Sequence, residues 1–397
     1  MHEDFRLPEA AQPTRYKLRL TPDLEAGAFE GRVEIALNVR EPVDRIVLNA
    51  AKLEIAEAKI GGGAAKVELL PEKERAAFTL ENPVPAGEAK LEIAFRGRMD
   101  HGMRGFYLSR YKAEDGPLKP LASTQFEAAS ARLCFPCFDE PDRKAVFEVE
   151  MDAPAGLDAV SNTDPVKTDS VGGGRRRFTF APTPKMSTYL LAFAVGEFER
   201  IEARTKDGVA VRILTPPGRA ELGHFSLESA VRGLEYYDAY YGIPYKEALP
   251  KLDQLAIPDF EAGAMENWGM VTYREIALFV DPKRSSVPAR RRVAEAVLHE
   301  LAHQWFGNLV TMKWWSELWL NESFATFMAA KATDALFPDW KLGSLGSNLK
   351  IQENTRDSIG LRLNIRIIDD STRDSFCGER SKLQALENPP QRVTNAG

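Results

Sequence analysis

The spacing of apolar residues changes near residue 200, and that change limits what the chain can fold into. From Tyr16 to about residue 200, apolar side chains recur at every second position, the period that sends alternate residues to opposite faces of a strand. Val33, Ile35, Leu37 and Val39 alternate with polar or small residues, as do Leu91, Ile93 and Phe95, then Phe147, Val149 and Met151, and Phe178 and Phe180. Gly61–Gly63, Pro83–Gly87 and Gly172–Gly174 punctuate these runs as turns. Residues 1–200 are therefore expected to form an all-β amino-terminal domain.

Beyond that point the period lengthens. Phe225–Tyr241 carries Leu227, Val231, Leu234 and Tyr237 at helical spacing and stops at Gly242-Ile243-Pro244. Arg290–Gly307 and Glu317–Phe337 predict two further helices, with short strands at Met270–Tyr273 and Ile276–Val280. Residues 201–397 are expected as an α+β, mainly helical domain, with the boundary near 198–205. The runs Arg175–Arg177 and Arg290–Arg292 read as solvated faces. The pairs Tyr236-Tyr237 and Tyr240-Tyr241 read as helix packing.

Composition narrows the partners. A length of 397 residues allows two or three domains, and 44% hydrophobic residues supply real cores. With 52 Lys plus Arg against 58 Asp plus Glu, the net charge of −6 offers no positive field for a polyanion, so nucleic acid is excluded as a partner. The longest purely apolar stretch, Tyr189–Val195, is too short to span a bilayer, so a membrane is excluded too. The start, Met1-His2-Glu3-Asp4, lacks the features of an export signal, and 3 cysteines are too few for a disulfide framework. A soluble, cytoplasmic protein is expected. Oligomeric state is not encoded in any of these features.

His299-Glu300-Leu301-Ala302-His303 is an H-E-x-x-H pattern inside an apolar-periodic helical stretch. Residues four apart share a helix face, so His299 and His303 can aim at one ion while Glu300 is turned slightly aside, toward the attacking water. After eighteen intervening residues comes Glu322, on the next helical segment. Two histidines and a glutamate with an open fourth position are the arrangement of catalytic zinc, one Zn2+ per chain. A third-histidine branch would need glycine and histidine where this chain has Phe306 and Leu309. Glu300 is then the general base that takes the water's proton and passes it to the leaving amine. This constellation alone specifies a zinc hydrolase and leaves endopeptidase and exopeptidase both open.

Gly263-Ala264-Met265-Glu266-Asn267 begins 36 positions before His299. Together with His299–His303 and the spacer to Glu322, it closely resembles the zinc aminopeptidases of the alanyl and puromycin-sensitive type. Thr124-Gln125-Phe126-Glu127 and Phe135-Pro136-Cys137-Phe138-Asp139-Glu140-Pro141 fit the same family, and the resemblance runs from about Pro13 to about Gly360. It implies a thermolysin-like catalytic domain that hydrolyses the amino-terminal peptide bond of peptides bearing a free amino terminus. It also implies that Glu266, helped by Glu127, anchors the substrate ammonium, and that Gln125 lines the pocket for the first side chain. Met265 and Asn267 fall in the same motif, and backbone groups at Gly263 and Ala264 would hold the substrate main chain as an edge strand does. Ala264 argues against the epoxide-opening activity of relatives that carry glycine there. Of the Cys134-Phe-Pro-Cys137 pair, Cys137 matches a common family position, and both read as buried packing residues.

Family members stabilise the oxyanion with a tyrosine some 80 to 90 residues past the first zinc histidine. Here that window, about 379–389, contains no tyrosine, and the last tyrosine is Tyr273. From about Leu361 the text departs from the family pattern, so the catalytic domain is expected to be incomplete, as in a truncated or frame-shifted product. Losing one oxyanion donor typically lowers rate by roughly 10² to 10³. An inactive remnant that binds zinc and peptides, and a zinc endopeptidase, are the competing readings.

Overall fold

The computed structural model describes residues 5–99, 102–112 and 116–340. Its first half is strand-rich. An eight-stranded sheet runs, in spatial order, through Pro165–Gly172, Arg175–Phe180, Val146–Pro154, Ala11–Asp23, Ala28–Val39, Gly87–Arg98, Glu54–Ile60 and Gly63–Ala64. Only Ala11–Asp23 against Val146–Pro154 is parallel. The period-two residues face inward: Val33, Ile35, Leu37, Leu91, Ile93, Phe95, Phe147, Val149 and Met151 are all buried, and Tyr16 stacks on Phe147 at 4.7 Å. The opposite face carries cross-strand ion pairs such as Lys90–Glu34 and Arg96–Glu30, each worth little on its own.

Two smaller sheets complete this half. Val43–Asn49, Arg75–Val84 and Lys66–Leu70 form one. Asp158–Ser161, Phe193–Gly196, Leu118–Gln125 and Gly105–Lys112 form the other, and its strand Leu118–Gln125 delivers the Gln125–Glu127 segment toward the second half.

The second half has a mixed five-stranded sheet ordered Glu199–Arg204, Ala210–Thr215, Lys251–Ile257, Met270–Arg274 and Ala264–Met265. Lys251–Ile257 is buried at every position, as a central strand with both faces covered must be. Helices α1 (His224–Tyr241), α2 (Glu275–Leu278) and α3 (Val287–Ala302) lie against this sheet, and α4 (Trp319–Leu336) packs on α3 and α1. Ser286 caps α3 by accepting from the Ala289 N–H, and Pro288 sits in the first turn, where a missing N–H costs nothing. Helix α1 ends at Gly242, whose left-handed conformation (φ 68°) returns its N–H to Asp238. At Gly233, α1 and α3 approach so closely that a Cβ would stand 2.5 Å from Leu298 Cδ2. Tyr237 and Tyr241 pack around Trp305, the packing role expected of them, while Tyr240 of the second pair is exposed.

Two sequence expectations are corrected. Ile276–Val280 is not a strand: Glu275–Leu278 is a single helical turn. Arg219 pairs with Glu275, Ser226 Oγ donates to the Leu278 carbonyl, and only Leu278 of the turn is buried while Ile276 is exposed, so tertiary contacts override its β-branched composition. The Arg175–Arg177 run is not a solvated face. Arg177 grips Asp152 with two bonds of 2.7 Å, Arg175 donates to the Pro22 and Asp152 carbonyls, and Arg176 lies over the Phe178 ring.

The halves meet at a buried charge network. Lys251 Nζ donates to the Ser161 carbonyl (2.7 Å), Asp253 Oδ2 (2.8 Å) and the Gly269 carbonyl (2.8 Å), while Arg212 joins Asp253 to Asp164. Asn162 Nδ2 adds bonds of 2.8 Å to the Leu190 and Trp268 carbonyls. These bonds tie residues 161–164 of the first half to Lys251, Asp253 and Arg212 and to Trp268 and Gly269, just before the strand Met270–Arg274. No helix among the described residues is long and apolar enough to cross a membrane.

Candidate active site

Helix α3 carries His299 and Glu300 in its last turn, and His303 follows as its C-cap residue. The fourfold spacing turns both imidazoles the same way, leaving their Nε2 atoms 3.0 Å apart. Glu322, in the first turn of α4, brings Oε2 within 3.3 Å of His299 Nε2 and Oε1 within 3.7 Å of His303 Nε2. One donor atom from each of His299, His303 and Glu322 falls inside a 4.8 Å cluster.

The rings are oriented from behind. His303 Nδ1 is 2.9 Å from the Phe306 carbonyl, a contact that places a proton on Nδ1 and turns Nε2 toward the cluster. Thr326 Oγ1 stands 3.4 Å from His299 Nδ1, one turn along α4 from Glu322. The chain can return from Phe306 under His303 only because Gly307 adopts φ 134°, where a Cβ would sit 3.2 Å from His303 Nδ1. Phe306 then packs at a tilt on Phe324 of α4, with ring centroids 3.8 Å apart, so the chain after α3 is held to α4 beside the His299, His303 and Glu322 cluster.

Two more acids complete the cluster. Glu266, Glu300 and His303 form one group of close donors, and Glu127, Glu266 and Glu322 another. Glu266 and Glu300 are buried, and Glu127 partly so, yet Glu127 Oε1, Glu266 Oε1 and Glu300 Oε2 accept no hydrogen bond from protein. Burial, and then the neighbouring acids, push the Glu127 carboxyl well up from its ordinary value. Burial also lifts Glu266, against the pull of His303, and lifts Glu300 well above its ordinary value in the same way. Burial lowers His303, but Glu266, Glu322 and Glu300 outweigh it and push the imidazole up to about 10. Burial raises Glu322, but hydrogen bonds from His299 and His303 outweigh it and hold this carboxyl far below the usual range. The site is thus a pocket of concentrated negative potential with more acceptors than donors, suited to a dication and to an ammonium group.

The remaining predicted residues are distributed around this pocket. Ala264–Met265 is the outer strand of the five-stranded sheet, paired on one side only with Tyr273 and Thr272, so its other edge is unpaired among the described residues. Gly263 fixes the base of that edge by accepting from the Arg274 N–H at 2.9 Å. Met265 is 1% exposed and fills the interior, and Asn267 Nδ2 donates to Thr272 Oγ1 at 3.1 Å, so both side chains brace the motif. Gln125 ends its strand with Oε1 buried and unbonded.

Several residues beside the site carried no signal in the sequence. Gln304 and Asn308 donate to the Glu266 main-chain carbonyl. Tyr189 OH donates to the Gly307 carbonyl at 3.2 Å and stacks edge-on to Trp315. Their chemistry is visible only once the loop after His303 folds back. Cys134 and Cys137 are free, fully buried thiols, each pushed well up by burial, as packing cysteines should be. The window 379–389 and the departure from about 361 lie outside the described residues.

Comparison with known proteins agrees with this arrangement. Residues 12–190 match the Peptidase M1 N-terminal domain and residues 225–374 the Peptidase family M1 domain, the latter extending past Leu361, where the family pattern was expected to stop. Aminopeptidase M1-A of Oryza sativa subsp. japonica is 47% identical over 346 residues, covering 85% of this chain and 39% of the relative. Aminopeptidase M1 of Arabidopsis thaliana is 46% identical over 346 residues (85% and 39%), and the puromycin-sensitive aminopeptidase of Caenorhabditis elegans 45% over 344 (85% and 36%). The chain therefore spans less than two fifths of the length of these curated relatives. With strand-rich and helical halves each matched in order, the chain belongs to peptidase family M1.

Proposed function

We propose that this chain is a zinc-dependent aminopeptidase that removes the amino-terminal residue of peptides. The observation that carries the reading is the adjacency of two chemically different subsites. A His299, His303 and Glu322 donor set lies beside Glu127 and Glu266, whose buried oxygens have no donor of their own.

The donor set fits zinc in kind and number: two imidazole nitrogens and a carboxylate would hold the ion, the ligand count of a catalytic zinc site. When bound, zinc polarises the scissile carbonyl and makes water acidic near neutral pH. Every other step belongs to side chains. Glu300, buried and raised, has Oε2 free to take the proton of the attacking water and to return it to the leaving amine. Glu266 Oε1 and Glu127 Oε1 accept from the substrate ammonium through charge-assisted bonds. The unpaired edge of Ala264 receives the substrate main chain as an added strand, and Gln125 borders the first side chain.

In this reading residues 1–200 form the amino-terminal domain and 201–397 the catalytic domain with one zinc, acting on peptides with a free amino terminus. The two free buried thiols favour a reducing, cytoplasmic setting. An aminoacyl anilide assay with and without chelator tests the activity: hydrolysis abolished by chelator and restored by zinc is expected. A zinc-loaded chain that leaves the anilide intact would instead be a peptide-binding remnant.

A further inference from the structure

Two side-chain amides beyond the zinc-ligand helix converge on one main-chain oxygen. Asn308 Nδ2 donates to the Glu266 carbonyl at 2.8 Å. Gln304 Nε2 donates to the same carbonyl at 3.3 Å and to the Glu300 carbonyl at 3.0 Å. Both side chains are buried, Gln304 at 2% exposure and Asn308 at 0%. Their amide oxygens have no hydrogen-bond donor. Turning either amide over would set oxygen against the Glu266 oxygen, so each can face it only as a donor.

The position of these amides is fixed to the metal ligands. The Asn308 N–H donates to the His303 carbonyl at 3.1 Å, and Lys144 from the first half holds the Asn308 and Leu309 carbonyls at 3.0 and 3.1 Å. Glu266, by contrast, lies just beyond the two-residue ladder Ala264–Met265, so strand pairing does not set its distance from α3. The amides do.

We propose that Gln304 and Asn308 are positioning residues that set the spacing between the ammonium-binding Glu266 and the metal-binding histidines, and thereby confine cleavage to the bond one residue from a free amino terminus. The inference rests on the aminopeptidase reading above. Its physical basis is that covalent geometry fixes the separation of a substrate's α-ammonium and its first carbonyl, so two subsites must match that length to within a fraction of an ångström. A misplacement of about 1 Å costs roughly 10²-fold.

The test measures binding of two zinc-directed ligands, leucine hydroxamate and its analogue lacking the α-amine, to zinc-loaded protein by calorimetry. The ratio of the two Kd values is the advantage conferred by the amine. In Gln304→Met, which keeps shape but loses the donor, and in Asn308→Ser, the ratio is expected to fall about tenfold. Zinc stoichiometry and affinity for the amine-free ligand should stay within about twofold. A parallel loss of both affinities, or an unchanged ratio, overturns the proposal, because a purely structural role would move both ligands together. An unchanged ratio in Gln304→Met suffices if Asn308→Ser does not fold. No amine advantage in the parent protein would overturn the aminopeptidase reading itself, and this inference with it.

Discussion

The Nε2 atoms of His299 and His303 stand 3.0 Å apart, with Glu322 Oε2 3.3 Å from the first. Two ring nitrogens that close repel unless a proton or a cation lies between them, and the Phe306 carbonyl already takes the proton on His303 Nδ1. Glu322→Ala removes the third donor, and zinc affinity is expected to drop by at least about 100-fold, since even outer partners of metal ligands are worth 10- to 100-fold. Metal content after dialysis against a weak chelator measures this; full retention of zinc would remove Glu322 from the ligand set.

In the proposed mechanism Glu300 is the base rather than a ligand. Glu300→Gln keeps the shape and should keep zinc, while losing the proton acceptor; kcat is expected to fall by about 10² to 10⁴, the usual worth of general base catalysis. Zinc stoichiometry and anilide hydrolysis, measured on one preparation, separate the two effects.

The buried junction between the halves depends on Lys251. Lys251→Met leaves Asp253 buried beside Arg212, removes the ammonium donor from the Ser161 carbonyl and leaves the Gly269 carbonyl with the Asp253 N–H alone. Arg212 still compensates Asp253, so the cost is that of losing a buried donor, about 1–3 kcal/mol. Denaturant unfolding should report a loss of that order, and a change under 1 kcal/mol would show that the network is dispensable.

Asp238 supplies a pH-dependent stability term away from the metal. Burial, partly offset by the Tyr245 N–H it accepts at 2.7 Å, pushes its carboxyl up to about 6 from an ordinary 3.8. Between those values the folded protein holds the proton that the unfolded chain releases, so stability falls as pH rises from about 4 to about 6 and stays lower above it. Asp238→Asn keeps the acceptor and removes the charge. Because the residue is only partly buried, the gain at pH 8 is on the order of 1 kcal/mol, with no gain at pH 4. Equal stabilisation at both pH values would mean that the charge is not the cause.

The sequence was legible where one physical rule governed. Alternation at Val33–Val39 and Leu91–Phe95 specified buried strands because each has one apolar face and one solvated face. The four-residue spacing of His299 and His303 brought both imidazoles to one side because a helix leaves no alternative. Legibility failed where a distant contact decided the outcome. Ile276 looked like strand but sits 80% exposed in a helical turn set by Arg219 and Ser226. Arg175–Arg177 looked solvated but turns inward onto Asp152 and two main-chain carbonyls. Gln304 and Asn308 have no meaning in a linear reading, because the carbonyl they hold is 38 and 42 residues away.

The central claim is that Glu127 and Glu266 read a free amino terminus beside a zinc set by His299, His303 and Glu322. The most direct measurement compares the zinc-loaded chain on one peptide in two forms, with its amino terminus free and with it acetylated, following products by mass. Acetylation leaves every peptide bond intact and removes only the charge. Stepwise release of single amino-terminal residues is expected from the free peptide, with a loss of at least about 10²-fold in rate on the acetylated one. Cleavage of the acetylated peptide at a comparable rate, at internal bonds, would contradict it and mark the site as that of an endopeptidase.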